Sequence, residues 1–186
     1  MMSKAELAKT MKLYAVTDTY WLDGRTLAEC VEEALAGGAT FIQLRDKNAS
    51  TEELAQQARE LAPICREYGV PLVINDDVDA ALAAGVDGVH VGQSDLACAE
   101  ARRILGPGAI IGVSAQTVEQ AKQAVAAGAD YLGVVAMIPT STKTDAEIVT
   151  PEELAAICTE ADVPVVAIGG LNAETMDVLH GTGVDG

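Results

Sequence analysis

Residues 85–92 read Gly85-Val86-Asp87-Gly88-Val89-His90-Val91-Gly92. A glycine just past a helix end takes the left-handed conformation that other residues avoid, and a short apolar run behind it reads as a buried strand. The phrase recurs as Gly38-Ala39-Thr40, Gly128-Ala129-Asp130 and Gly183-Val184-Asp185, which marks repeated helix-to-strand returns. Working outward, strand runs are predicted at 13–18, 41–46, 71–76, 88–92, 110–115, 131–137 and 163–169. Helical patterns lie between them near 26–36, 51–68, 77–84, 96–105, 117–127, 151–161 and 173–180. Pro71 and Pro164 fall at strand starts, where a missing N–H is tolerated.

Such alternation means a parallel sheet, either open and doubly wound or closed as a (β/α)8 barrel. The count favours the barrel. Seven strand runs are present, and Gly183-Val184-Asp185-Gly186 copies the lead-in to Val89, so an eighth strand is expected to begin at about Gly186. No G-x-G-x-x-G turn follows the first run, which counts against a dinucleotide-binding sheet. The expectation is an α/β fold: one TIM-barrel domain over 1–186, C-terminally incomplete, in a chain that continues past Gly186.

The chain has 186 residues, is 49% hydrophobic with only 3% aromatic residues, and carries a formal charge of −16. So acidic a surface argues against nucleic acid or an anionic membrane as partner. The N-terminus reads as a short polar helix without a signal peptide's apolar core, and apolar runs such as 163–168 are too short to span a bilayer. A cytoplasmic protein is expected. Cys30, Cys65, Cys98 and Cys158 are widely spaced and fall in predicted helices, without metal or redox spacing, and read as small buried thiols.

Within 41–47, Gln43, Arg45 and Lys47 alternate with Ile42 and Leu44, so three polar groups converge on one face at a strand's end. Two cations there, in an acidic chain, suggest an anion. Barrels of this kind gather their chemistry at the C-terminal strand ends. Those ends carry Asp18, Gln43/Arg45/Lys47, Asn75/Asp76, Gln93/Asp95, Ser114, Thr140/Thr142/Lys143 and Gly169/Gly170. Asp76 and Asp95 suit a hard cation such as Mg2+ shared with a phosphate, and equally suit caps for the helices that follow; spacing leaves both readings open. Arg45, Lys47 and Lys143 suit a diphosphate. Gly169-Gly170, before Asn172 as a helix cap, suits a phosphate held by backbone N–H groups. The 138–150 connection is long and irregular, as lids are. His90 and His180 read as structural, and no Ser–His–Asp or Cys–His arrangement can be assembled.

The pieces Trp21–Leu27 (WLDGRTL), Gln43–Lys47 (QLRDK), Asn75-Asp76-Asp77, His90–Asp95 (HVGQSD), Gly112-Val113-Ser114, Pro139–Lys143 (PTSTK) and Ala167–Leu171 (AIGGL) occur in this order over nearly the whole chain. In them the sequence resembles the thiamine phosphate synthase (thiamine phosphate pyrophosphorylase) family, with QLR-x-K and PT-x-TK the specific signals. The resemblance implies a TIM barrel that joins a pyrimidine diphosphate to a thiazole phosphate, releasing pyrophosphate with Mg2+. Carried over by motif position, it implies that Gln43, Arg45, Lys47, Asn75, Ser114 and Lys143 bind the pyrimidine diphosphate. It further implies Asp76 and Asp95 as Mg2+ ligands, and Thr140, Thr142 and Gly170 on the thiazole phosphate. Catalysis would rest on Arg45, Lys47, Ser114 and Lys143, through charge neutralisation and positioning around a pyrimidine-methyl cation. A homo-oligomer is compatible with all of this.

One departure is Ala136-Met137, where the family usually has Gly-Pro. Two other readings compete: a thiazole tautomerase-like isomerase, which needs a proton-transferring group, and a non-catalytic barrel that binds thiamine-type phosphates. Retention of Lys47, Asn75, Asp76 and Lys143 speaks against the first, and intact Asp76 and Asp95 against the second. Lys143→Ala is expected to lose most of the turnover while the fold persists, checked by turnover beside circular dichroism; unchanged turnover rejects the assignment.

Overall fold

Seven strands run parallel in one sheet in the order of the chain, each hydrogen-bonded to the next. They are β1 (Tyr14–Val16), β2 (Phe41–Leu44), β3 (Leu72–Asn75), β4 (Gly88–Val91), β5 (Ile110–Ala115), β6 (Tyr131–Val135) and β7 (Val165–Ile168). The helices are α1 (Lys4–Thr10), α2 (Leu27–Ala36), α3 (Thr51–Glu67), α4 (Val78–Ala84), α5 (Cys98–Leu105), α6 (Val118–Ala126) and α7 (Pro151–Glu160). The computed structural model describes residues 2–92, 98–135 and 148–186. Among these the architecture is a nearly closed TIM-like barrel, as expected.

Local sequence explains the helix starts. Ser3, Thr26 and Ser50 each accept the amide of a glutamate three residues on, and Glu6, Glu29 and Glu53 reach back to the cap. Thr150 caps α7 with Pro151 at its first turn. At the other ends, Gly38, Gly85, Gly128 and Gly183 all have positive φ, as the recurring phrase requires.

The third residue of that phrase does more than the sequence reading assigned to it. Asp87 Oδ2 accepts the Leu72 amide at 2.9 Å, while the Asp87 amide donates to Leu72 O at 3.0 Å. Asp130 grips Ile111 in the same way, at 2.8 and 2.7 Å, and Asp185 grips Val165, both bonds at 2.9 Å. Thr40 does so with its hydroxyl on Leu13. Each incoming odd-numbered strand is thus clasped at its start by the residue that leads into the next strand position. After Asp185, Gly186 O accepts the Ala167 amide at 3.0 Å, so residues assigned to the start of an eighth strand hydrogen-bond to β7.

Strand side chains alternate strictly between two cores. Ile42, Leu44, Leu72, Ile74, Val89, Val91, Ile111 and Leu132 face the helices. Phe41, Val73, Ile110, Tyr131 and Val166 face inward, and Leu7 and Met11 join them. Because Phe41 and Ile110 open their strands, α1 forms the floor of the barrel at the N-terminal strand ends.

One expectation is corrected. Over 173–180 there is only a 3-10 turn, Met176–Leu179, instead of an α-helix. Asn172 Oδ1 accepts the Glu174 amide and Thr175 Oγ1 accepts the Asn172 amide, so side chains satisfy the local backbone in a turn that competes with a helix start.

Interior glycines make room for large rings. A Cβ at Gly112 would strike the Tyr131 ring, and one at Gly133 would sit 2.9 Å from His90 Cε1. Gly112→Ala is expected to cost about 1–3 kcal/mol of stability through overpacking, read from denaturant unfolding; an unchanged midpoint would show that Tyr131 moves freely.

Candidate active site

The C-terminal strand ends surround a cavity of about 300 Å³ lined by Val16, Thr17, Asp18, Gln43, Arg45, Asn75, His90, Ser114, Val135, Ile168, Gly169 and Gly170. Register explains the polar wall: Gln43, Asn75, His90 and Ser114 occupy inward positions on β2, β3, β4 and β5, above the apolar floor. Gln43 is 3% exposed and His90 4%, so their polar atoms must be partnered inside the barrel.

Arg45 follows the end of β2 and is held through its backbone. Its amide donates to Thr17 Oγ1 at 2.8 Å, and that hydroxyl donates back to Arg45 O at 3.1 Å. Its guanidinium makes no ion pair among the described residues, and it lies at the cavity's edge. Lys47 is placed differently from the sequence expectation. β2 ends at Leu44, and Lys47 sits exposed in the turn beyond, outside the cavity lining. The two-residue alternation holds for Gln43 and Arg45 and stops before Lys47 because the chain has left the sheet.

At the tip of β3, Asp76 has φ 65°, a left-handed conformation that costs a non-glycine residue on the order of 1 kcal/mol. Its amide donates to His90 O at 2.8 Å, and Asn75 Nδ2 donates to Asp76 Oδ2 at 2.5 Å. The helix cap is Asp77, whose Oδ1 accepts the Ala80 amide at 2.7 Å. Capping therefore does not account for Asp76, which stands exposed at the rim. Gly169 and Gly170 have φ of 107° and 71°, and Thr175 Oγ1 donates to Gly170 O at 3.1 Å. Asp95, Thr140, Thr142 and Lys143 lie outside the described residues.

Sequence reasoning overlooked what lies under this wall. Tyr14 and Tyr131 face each other across the interior with hydroxyls 2.7 Å apart, and His90 lies between Tyr131 and Ser114. The available signal was two tyrosines at inward strand positions in a chain with only 3% aromatic residues. Burial pushes both phenols well above their ordinary range. Burial, with Asp87 and Asp185 respectively nearby, also pushes the Cys65 and Cys158 thiols up to about 11, so both stay protonated and unreactive at neutral pH. All four cysteines lie in helices and are free, as expected, but only Cys65 and Cys98 are buried, while Cys30 and Cys158 are half-buried.

A parallel α/β barrel with its polar pocket at the C-terminal strand ends is the arrangement of TIM-barrel enzymes. Residues 13–186 match the family model described as thiamine monophosphate synthase. The thiamine-phosphate synthase of Ruminiclostridium cellulolyticum is 52% identical over 174 residues, covering 94% of this chain and 83% of that protein. That of Clostridioides difficile is 46% identical and covers 100% of this chain and 89% of its own length. The solved thiamine phosphate pyrophosphorylase of Pyrococcus furiosus superposes with a TM-score of 0.87 at 41% identity, covering 96% of this chain and 85% of that one. The chain belongs to the thiamine monophosphate synthase family, and its activity is that of a thiamine-phosphate synthase, a transferase of thiamine biosynthesis. Among the described residues no helix is long and apolar enough to cross a membrane.

Asp76→Gly is expected to leave thermal stability unchanged or raise it by relieving the backbone strain, while turnover falls at least tenfold. Paired melting curves and turnover check this; a loss of stability without loss of turnover would make Asp76 a structural residue.

Proposed function

We propose that the barrel joins a pyrimidine-methyl diphosphate to a thiazole phosphate and releases pyrophosphate, assisted by Mg2+. The observation that carries this reading is Arg45 at the edge of a cavity whose wall is Gln43, Asn75 and Ser114. A guanidinium can hold diphosphate oxygens bidentately, and amide and hydroxyl groups deeper in suit a ring that carries both donors and acceptors. In this reading Arg45, with Lys47 and Lys143, draws the leaving diphosphate away, and Gln43, Asn75 and Ser114 orient the ring. Gly170, with Thr140 and Thr142, takes the thiazole phosphate. Val135 and Ile168 add apolar groups to the cavity wall, beside which a cation that water would trap meets less of it.

Carboxylate oxygens are the donors that Mg2+ takes, and Asp76, exposed at the rim and not used as a cap, fits such a ligand; Asp95 is its partner by sequence. Bound there, Mg2+ would neutralise diphosphate charge. A cytoplasmic setting and assembly into a homo-oligomer are compatible with this chemistry.

The test is pyrophosphate release and thiamine phosphate formation from the two substrates with Mg2+. Arg45→Ala should lower kcat/KM by roughly 100-fold or more with circular dichroism unchanged, and Arg45→Lys should recover part of it. A wild-type protein that forms thiamine phosphate without pyrophosphate, or an Arg45→Ala variant at full rate, would reject the reading.

A further inference from the structure

Five side chains form a continuous hydrogen-bonded chain through the barrel interior. Gln43 Nε2 donates to the Tyr14 hydroxyl at 2.6 Å, and the Tyr14 and Tyr131 hydroxyls are 2.7 Å apart. The Tyr131 hydroxyl is 3.0 Å from His90 Nδ1, and His90 Nε2 is 3.0 Å from Ser114 Oγ. Gln43, His90 and Ser114 line the cavity, and the two tyrosines lie beneath it. The sequence keeps room for this chain, since a Cβ at Gly112 or Gly133 would strike Tyr131 or His90.

Each hydroxyl carries one proton, and a neutral imidazole carries one N–H. The directions of the four bonds are therefore linked. With Gln43 donating, Tyr14 donates to Tyr131 and Tyr131 donates to Nδ1. The imidazole proton is then on Nε2 and points at Ser114. Turning the Gln43 amide over would reverse every bond in turn. Any mixed arrangement leaves a buried donor or acceptor without its bond, at a cost that keeps it rare. Burial keeps both phenols protonated, so neither link is lost near neutral pH.

We propose that Tyr14, Tyr131 and His90 are positioning residues that set the polarity of this chain, so that Gln43 presents its carbonyl and Ser114 its hydroxyl proton to the ligand in the cavity. The inference rests on the reading of Gln43 and Ser114 as substrate contacts. It also makes their recognition a single two-state property: a ligand must accept from Ser114 and donate to Gln43, or pass through reversal of the whole chain. Residues that never touch substrate thereby select it.

The chain contains two histidines, so imidazole 15N spectra can be assigned with one variant, His90→Gln, and exposed His180 is the internal reference. In the wild-type protein without substrate, His90 is expected to be neutral with its proton on Nε2 at pH 7–8. A proton on Nδ1, or a mixture like that of a solvated histidine, overturns the proposal. Tyr131→Phe removes the donor to Nδ1 and should give mixed tautomers; Tyr14→Phe, which cuts the link to Gln43, should do the same and serves if Tyr131→Phe does not fold. An unmoved Nε2–H tautomer in either variant also overturns it.

The kinetic arm is a double-mutant cycle. Tyr131→Phe and Ser114→Ala should each lower kcat/KM roughly tenfold, and the double variant should be no worse than about Ser114→Ala alone. Additive losses of roughly 100-fold would mean that Tyr131 does not act through Ser114, and would overturn the proposal. The spectra need no substrate, so a wrong tautomer sinks the relay even where turnover is as proposed. A right tautomer without pyrophosphate release sinks the functional reading instead.

Discussion

The two-bond clasp on each odd-numbered strand is the constraint on which the site depends. A strand's side chains alternate with a period of two, so a one-residue slip would turn every inward residue outward. Asp87 and Asp130 hold β3 and β5 against slippage at Leu72 and Ile111, and Thr40 and Asp185 do so for β1 and β7 at Leu13 and Val165. Those registers put Gln43, Asn75, His90 and Ser114 in the cavity and Ile42, Ile74, Val89 and Val113 under the helices. The polar wall is thus a product of three carboxylates and one hydroxyl far from it, at the opposite end of the strands.

Strand tips were legible because they interrupt apolar runs with residues that a core would reject. Gln43, Arg45, Asn75, Ser114 and Gly170 were found that way, and all line one cavity. Lys47 was misplaced because alternation is informative only while the chain stays in the sheet. The recurring Gly-x-Asp phrase was legible as a turn. Its carboxylate was not, because the partner amide lies 15 to 20 residues earlier and no local pattern marks it. Tyr14, Tyr131 and His90 escaped for a related reason. Each is an ordinary strand residue alone, and the meaning lies in contacts spanning 41 and 117 positions.

For Asp76 the sequence left two roles open, cation ligand and helix cap, and the structure gives the cap to its neighbour. The cap fell to Asp77, and the strained conformation fell to Asp76, whose amide is tied to the His90 carbonyl. Strain of this kind persists only where neighbours enforce it. Here the neighbour is the same histidine that sits in the interior chain, so the rim carboxylate and the buried relay share one anchoring residue.

The helix that precedes the first strand has a consequence for solvent. Leu7 and Met11 close the N-terminal end with side chains that are 4% and 0% exposed, and Phe41 and Ile110 pack against them. With that floor filled by apolar side chains, the polar groups of the interior face the C-terminal strand ends, where the described residues form the cavity. A short helix far from the polar wall thereby decides which end of the barrel can be wet.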